Sequence, residues 1–469
     1  MDYGFLSIIP PIIAIALAIW SRQILFSLFA GLAIGWIIIE GHLFRGMIST
    51  IDSFVKVFES AGSTRTIIFT LLIGALIQLI RYSGGISGFI HRIQKAVQHT
   101  ENPRKKLQIT AGIAGFLIFI ESNISILTVG TVFRPLFDRF GISKEKLAYI
   151  VDSSSAPSCI LIPVNAWGAY IMGLLIAFEG VPPLKTLIYS IPFNFYPITT
   201  LILLFTLTAF NKNIGTMRQF EQKALDSHEG VEPTHSNESY WDMVIPLLVM
   251  ICSMPLFLMY TGWDSELIGS LGDKIWHAIG NGSGSMSVLL ALILAWVVAG
   301  TIYGIKKKIN LETFTSESLK GMGDMINMAL LMVMAFALGH LCNELGTGSY
   351  VASITAQWIY PPIIPAVVFL TSCFIAFSTG TSWGTFAIML SIAVPVSLEL
   401  GINIYVMTAA VLGGGVFGDH CSPISDTTLI ASVASGSDHI DHVRSQLPYA
   451  LISGAISLFF YLIVGFLIT

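Results

Sequence analysis

Charge is what this 469-residue chain has least of: 11% of its residues are Asp, Glu, Lys or Arg, against roughly 25% in soluble domains. With 54% hydrophobic residues beside that deficit, a soluble globular protein is excluded and a polytopic membrane protein is expected. No Lys or Arg occurs between Gly321 and Val443, and the net charge is -4. No basic face is left to neutralise phosphates, which excludes nucleic acid as a partner. The five cysteines stand singly in apolar stretches without CxxC spacing, so neither a disulfide framework nor a zinc site is expected. No basic residues precede the apolar run 5–20, and no small-residue cleavage site follows it. The run therefore reads as a first membrane helix rather than a signal peptide.

Apolar stretches near 5–20, 24–39, 66–82, 147–176 and 186–210, then near 242–261, 286–304, 323–342, 402–436 and 448–468, have about the 20-residue length that hydrocarbon demands. Between the sets lies the polar stretch 211–240, read as a cytoplasmic linker joining repeat 1 (1–210) to repeat 2 (241–469). Two further apolar segments, 107–137 and 361–398, are interrupted by ESNIS at 121–125 and STGTS at 378–382. Each is expected to be a re-entrant helical hairpin.

Basic residues mark cytoplasmic loops. The segments 91–106, 134–146, 212–223 and 306–308 carry them, which places these loops inside and 345–401 outside. The loop 40–65 is counted outside despite Arg45, Lys56 and Arg65. Five crossings and one hairpin per half invert the second half relative to the first. Internal matches agree with this. LIQLIRYSGGISGF (76–89) parallels FALGHLCNELGTGSYV with Gly84 facing Gly346, Ser125 faces Ser382, Thr128 faces Thr385, and DSSSAPS (152–158) mirrors DHCSPIS (419–425). The expected fold is all-α and polytopic, with two inverted-topology repeats, each holding a hairpin and a broken helix.

Charged groups at bilayer depth cost about 2.5 to 3.5 kcal/mol each on insertion scales, so GDHCSPISDTT (418–428) is a site rather than an accident. The inferred site unites the tips (Glu121, Ser122, Asn123, Ser125; Ser378, Thr379, Thr381, Ser382) with broken helices bearing Asp152 and Asp419. Breaks at Pro157 and Pro423 would free carbonyls for a cation. Carboxylate, hydroxyl and carbonyl oxygens suit a hard cation, so Asp152 and Asp419 are expected to hold sodium. Asp426, whose matched position is Ile160, is expected either to ligate a second ion or to stand behind the ligands, and His420 is expected to relay protons. Burial disfavours a charged carboxylate, so proton and cation compete for one anion. Gly413 to Gly415 are expected to permit close helix packing.

GDHCSPISDTT, DSSSAPS and STGTSWGTF resemble the NhaC-type sodium/proton antiporters over nearly the whole chain. The resemblance implies exchange at the inner membrane, with roles for Asp419, His420, Ser422, Asp426 and Thr427. It implies no enzyme activity and no cofactor beyond the transported ions. Partners are lipid and small cations, and a homodimer stays open. A rival reading is coupled transport of a small organic acid or amino acid. That cargo would want an arginine or a helix N-terminus at the midplane; no arginine is read near a tip except Arg134, while the hairpin N-termini stay open to a carboxylate. An intramembrane aspartyl protease would need glycine at 416, where Val416 stands.

Overall fold

The computed structural model describes residues 3–21, 23–88, 102–119, 121–226, 239–264, 282–358 and 360–468, with isolated positions between 270 and 278. Every regular element among these residues is helical, as lipid requires of a chain whose backbone must satisfy its own hydrogen bonds.

In the first half, α1 (Ile9–Ser21) and α2 (Ile24–Glu40) pack on each other, and α3 (Leu43–Glu59) and α4 (Ala61–Tyr82) follow. A hairpin comes next, α5 (Pro103–Leu117) and α6 (Ser122–Arg139). After it runs a broken helix, α7 (Lys144–Leu161) and α8 (Ala166–Leu175), bent by 45°. The half ends with α9 (Pro183–Ser190), α10 (Phe195–Ala209) and the polar α11 (Met217–Asp226). In the second half come α12 (Trp241–Gly262), α13 (Gly284–Ile305), α14 (Leu311–Asp324), α15 (Ile326–Glu344) and α16 (Thr347–Trp358). They lead to a second hairpin, α17 (Ile364–Thr379) and α18 (Ser382–Leu400), and a second broken helix, α19 (Ile404–Cys421) and α20 (Asp426–Ser435). The last helix is α21 (His439–Ile468).

Hairpin followed by broken helix therefore occurs twice. The matched Gly84 and Gly346, beyond the ends of α4 and α15, both take left-handed backbone at φ +75° and +67°. Among the described residues, by length and composition seven helices can cross a membrane, or up to nine if each bent pair is one span.

The halves interlock. α20 packs on α6 and α7 of the first half, while α4 packs on α8 and, in the second half, on α13, α14 and α15. Close approach needs glycine at chosen points. A side chain at Gly418 would collide with the Cys373 carbonyl, and one at Gly414 with the backbone of Phe369, so these glycines press α19 onto α17, as expected of the glycine run. Gly74 of α4 and Gly321 of α14 meet backbone to backbone.

Three expectations need correction. The loop 40–65 holds a helix, α3, whose Gly46, Thr50, Ser53 and Val57 face inward while Arg45, Lys56 and Glu59 lie on its exposed side. Likewise α14 fills residues taken as a connection. The first break does not fall at Pro157, which lies inside α7, but at 162–165. There the Asn165 amide donates to the carbonyls of Phe119, Cys159 and Ile162, and its oxygen accepts from the Gly168 N–H. A polar side chain thus meets backbone groups that the break orphans.

Candidate functional site

Asp419 sits in the last turn of α19, where the helix stops before Pro423, and is 2% exposed. Ser382, the first residue of α18, donates to its Oδ2 at 2.6 Å, and Ser425 donates to its Oδ1 at 2.6 Å. Hairpin tip and helix break therefore grip one carboxylate between them. Thr427 lies one step out, 2.9 Å from the Ser425 hydroxyl. Ser425 also accepts from the Thr428 N–H as the N-cap of α20.

Asp152, fully buried in α7, faces the second half of the chain. Its Oδ2 accepts from Gln446 Nε2 at 2.6 Å, and the same amide donates to the His420 carbonyl at 2.9 Å. His442 Nε2 lies 3.5 Å from Asp152 Oδ2, and His420 Nε2 lies 3.9 Å from Oδ1. The Thr428 hydroxyl stands between the two aspartates, 3.5 Å from Asp152 Oδ2 and 3.4 Å from the Asp419 carbonyl. His420 Nδ1 meets the Tyr196 hydroxyl at 3.1 Å. Asp152 Oδ1, His420 Nε2, both His442 ring nitrogens and Gln446 Oε1 have no hydrogen-bond partner among the described residues.

Glu121 is the N-cap of α6: its carboxylate accepts from the N–H groups of Asn123 at 3.1 Å and Ile124 at 2.8 Å. Ser122 reaches the same carboxylate at 3.3 Å. Asp426 opens α20 and faces the Asn123 side chain. By surface area its side chain is exposed. No Lys or Arg pairs with Asp152, Asp419, Asp426 or Glu121 among the described residues.

Other expected residues serve the frame. Ser125 donates to the Gly115 carbonyl inside the first hairpin, so its matched partner Ser382 alone reaches an aspartate. Ser422 donates to the Phe377 carbonyl, tying the break to α17. Thr381 stands at the N-cap of α18 without a side-chain bond to it. Thr379 bonds back to Ile375. At the break, His439 Nε2 lies 2.6 Å from the Pro423 carbonyl, and the Asp419 carbonyl, four residues before the proline, accepts from the Ser422 N–H and the Thr428 hydroxyl. One expectation fails outright: an arginine does approach a tip. Arg81 of α4 lines a cavity of about 260 Å³ together with Asn123.

Ser425 and Thr428 lie inside the 418–428 stretch that the sequence marks, without a role assigned there, and Tyr196, His442 and Gln446 lie outside every expected site. The last two lie four residues apart, on one face at the start of α21. In sequence they stand in a polar stretch just ahead of the apolar run 448–468, which hides them.

Comparisons with known proteins agree with the motif resemblance. The model of the Na+/H+ antiporter family matches residues 158–466. A Haemophilus influenzae protein of uncharacterised function is 31% identical over 98% of this chain and 91% of its own length. The malate-2H(+)/Na(+)-lactate antiporter of Bacillus subtilis is 27% identical over 39% of each chain. In fold, the chain is similar to the YdaH transporter of Alcanivorax borkumensis, with a TM-score of 0.62 at 14% identity, over 97% of this chain and 98% of that one.

Proposed function

We propose that this chain, which belongs to the Na+/H+ antiporter family, exchanges sodium ions for protons across the plasma membrane through competition for Asp419. The observation that carries this reading is the surroundings of that carboxylate. It is buried, it accepts two short hydroxyl hydrogen bonds, and among the described residues no Lys or Arg compensates it. Taking an ion out of water costs several kcal/mol even after relaxation, so such a group needs a proton or a cation at almost all times. Hydroxyl and carboxylate oxygens favour a hard cation over a soft one. Ser382, Ser425 and Thr427 supply the oxygens beside Asp419.

Competition for one anion is enough for exchange. Sodium binding must release a proton, and apparent sodium affinity must fall as pH falls. Asp152, joined to the Asp419 backbone through Thr428 and to the His420 backbone through Gln446, feels the occupancy of the site and carries its response into α21. Asp426, exposed at the start of α20, draws cations toward Asp419.

The test is sodium-driven proton release from purified protein at several pH values. Asp419→Asn keeps size and hydrogen-bonding capacity but cannot cycle a proton, and it removes a buried charge, so the variant folds at least as stably as the parent. Release is expected to vanish in it; unchanged release would move the proton site to Asp152 or Glu121.

A second reading, coupled transport of a small organic solute, draws support from the malate/lactate relative and from Arg81, whose place beside the first tip removes the main sequence argument against it.

A further inference from the structure

We infer that the cavity where α4, α9 and α13 begin binds the headgroup of an anionic phospholipid, its phosphate held by Arg65 and Lys185. The inference rests on the membrane fold alone and is independent of what the site at Asp419 carries.

Arg65 of α4 and Lys185 of α9 line one cavity of about 390 Å³, together with the start of α13 and the end of α8. Its walls stand close together. A Cβ at Gly62 of α4 would lie 2.6 Å from Ile176, and one at Gly284 of α13 would lie 3.0 Å from Leu184 and 3.2 Å from Met172. Arg65 is one turn beyond Gly62 and Lys185 is next to Leu184, so both cations border the same enclosure. Depth follows from where the helices lead. α4, the bent pair α9–α10 and α13 all run from this cavity to the basic segments 91–106, 212–223 and 306–308. Those segments mark the cytoplasm, so the cavity lies at the opposite membrane surface, where three spans start. That is headgroup depth, and Arg65 and Lys185 stand there against the charge asymmetry of the chain.

Charge decides the class of ligand. Among the described residues no Asp or Glu lines the cavity, and neither Arg65 nor Lys185 is paired with a carboxylate. Arg and Lys are the side chains that bind phosphate. The first turn of α13 adds to the positive field, since its N-cap Ser283 makes no side-chain bond to it and such an end favours phosphate. The rest of the wall asks for more than an inorganic anion. Met172, Ile176 and Leu184 are apolar, and the volume falls within the roughly 300–1,000 Å³ of ligand pockets. An amphiphile answers both parts. Outside the cavity, Lys185, Ile188 and Tyr189 fall at i, i+3 and i+4 on one exposed face of α9, Ile188 42% and Tyr189 55% exposed. The Lys185 ammonium lies 5.8 Å from the Tyr189 ring centre. A tyrosine beside apolar and basic neighbours is what membrane surfaces select, so lipid already borders the cavity.

The test titrates lipid onto the purified full-length protein in a neutral detergent. Dioleoyl phosphatidylglycerol, which is anionic, is compared with dioleoyl phosphatidylcholine, whose choline cancels the phosphate charge, and with inorganic phosphate as competitor. Phosphatidylglycerol is expected to bind about tenfold or more tightly than phosphatidylcholine and to stay bound in millimolar phosphate. A basic residue at an anionic lipid surface is expected to contribute about fivefold in affinity. Lys185→Gln, at an exposed position, is therefore expected to lose about fivefold for phosphatidylglycerol, and Arg65→Gln with Lys185→Gln about tenfold or more. Arg45→Gln with Lys56→Gln removes as much charge from the same side, outside the cavity, and is expected to keep the parent's affinity. Equal binding of the two lipids overturns the inference. Displacement by millimolar phosphate also overturns it, by making the cavity a small-anion site. Equal losses in the two double variants would do the same, by tracing binding to diffuse charge. If Arg65→Gln with Lys185→Gln fails to fold, Lys185→Gln alone decides the location, and unchanged affinity in it counts against the cavity.

Discussion

A serine on either side of Asp419 holds its two oxygens, so single hydroxyl deletions are the sharpest probes at the residue scale. Ser425→Ala and Ser382→Ala each remove a donor to the charged form at 2.6 Å. Hydrogen bonds to charged groups contribute about 1.5–3 kcal/mol, and about 1.4 kcal/mol corresponds to one pH unit. Losing a donor favours the protonated acid, so the pH of half-maximal exchange is expected to rise by about one to two units in each variant, read from proton release against pH. Asp426→Asn is a different case, since that carboxylate is accessible and its matched position is Ile160. Charge-lined clefts raise local counter-ion concentration by about tenfold or more. The sodium needed for half-maximal exchange is therefore expected to rise about tenfold while the maximal rate survives; transport as dead as in Asp419→Asn would reverse the ranking of the two. The sequence disclosed Asp419 and Ser382 because polar residues stand out in apolar surroundings. It hid Gln446 and His442, which lie in a stretch polar enough to pass for a loop.

Glycines that permit tight junctions can be separated at the element scale from glycines that only turn the chain. Gly380 at the second tip has φ +69°, and a Cβ there would lie 2.6 Å from the Ile424 carbonyl oxygen. Gly401, after α18, has φ +67° but open space around it. Left-handed backbone costs an L-residue roughly 1–2 kcal/mol, so Gly401→Ala is expected to lower thermal stability modestly. Gly380→Ala adds a collision with the segment that carries Pro423 and Ser425, so it is expected to abolish recovery of folded protein; equal melting of the two variants would refute the packing account. The hairpins were legible because small polar residues split long apolar runs at their middle. α3 and α14 were not, since each buries one narrow face and no window of either is apolar enough to register. Pro157 misled in a different way. A proline removes one backbone donor and kinks a helix, but α7 continues through it, and the break comes at 162–165, where Asn165 can satisfy the orphaned carbonyls.

The sidedness of the whole molecule follows from charge, and it is the premise on which the inverted repeat stands. Lys and Arg concentrate in 91–106, 134–146, 212–223 and 306–308 and vanish from 321 to 443. If the basic segments mark the cytoplasm, residue 227, in the linker after α11, lies inside, and residue 349, near the start of α16, lies outside. An odd number of crossings between hairpins then turns the second broken helix over relative to the first. That relation would bring Asp152 and Asp419 to the same depth from opposite directions, consistent with their meeting at Thr428. Single cysteines at Ser227 and Ser349, in a chain whose five native cysteines are replaced, report the arrangement through a membrane-impermeant thiol reagent. In intact cells Ser349→Cys is expected to react and Ser227→Cys to be protected, and inverted vesicles are expected to exchange the two. Reaction of both from one side would mean that an even number of crossings separates them. The two hairpins would then enter from the same face, and the matched pairs Ser125 with Ser382 and Gly84 with Gly346 would be coincidences of composition.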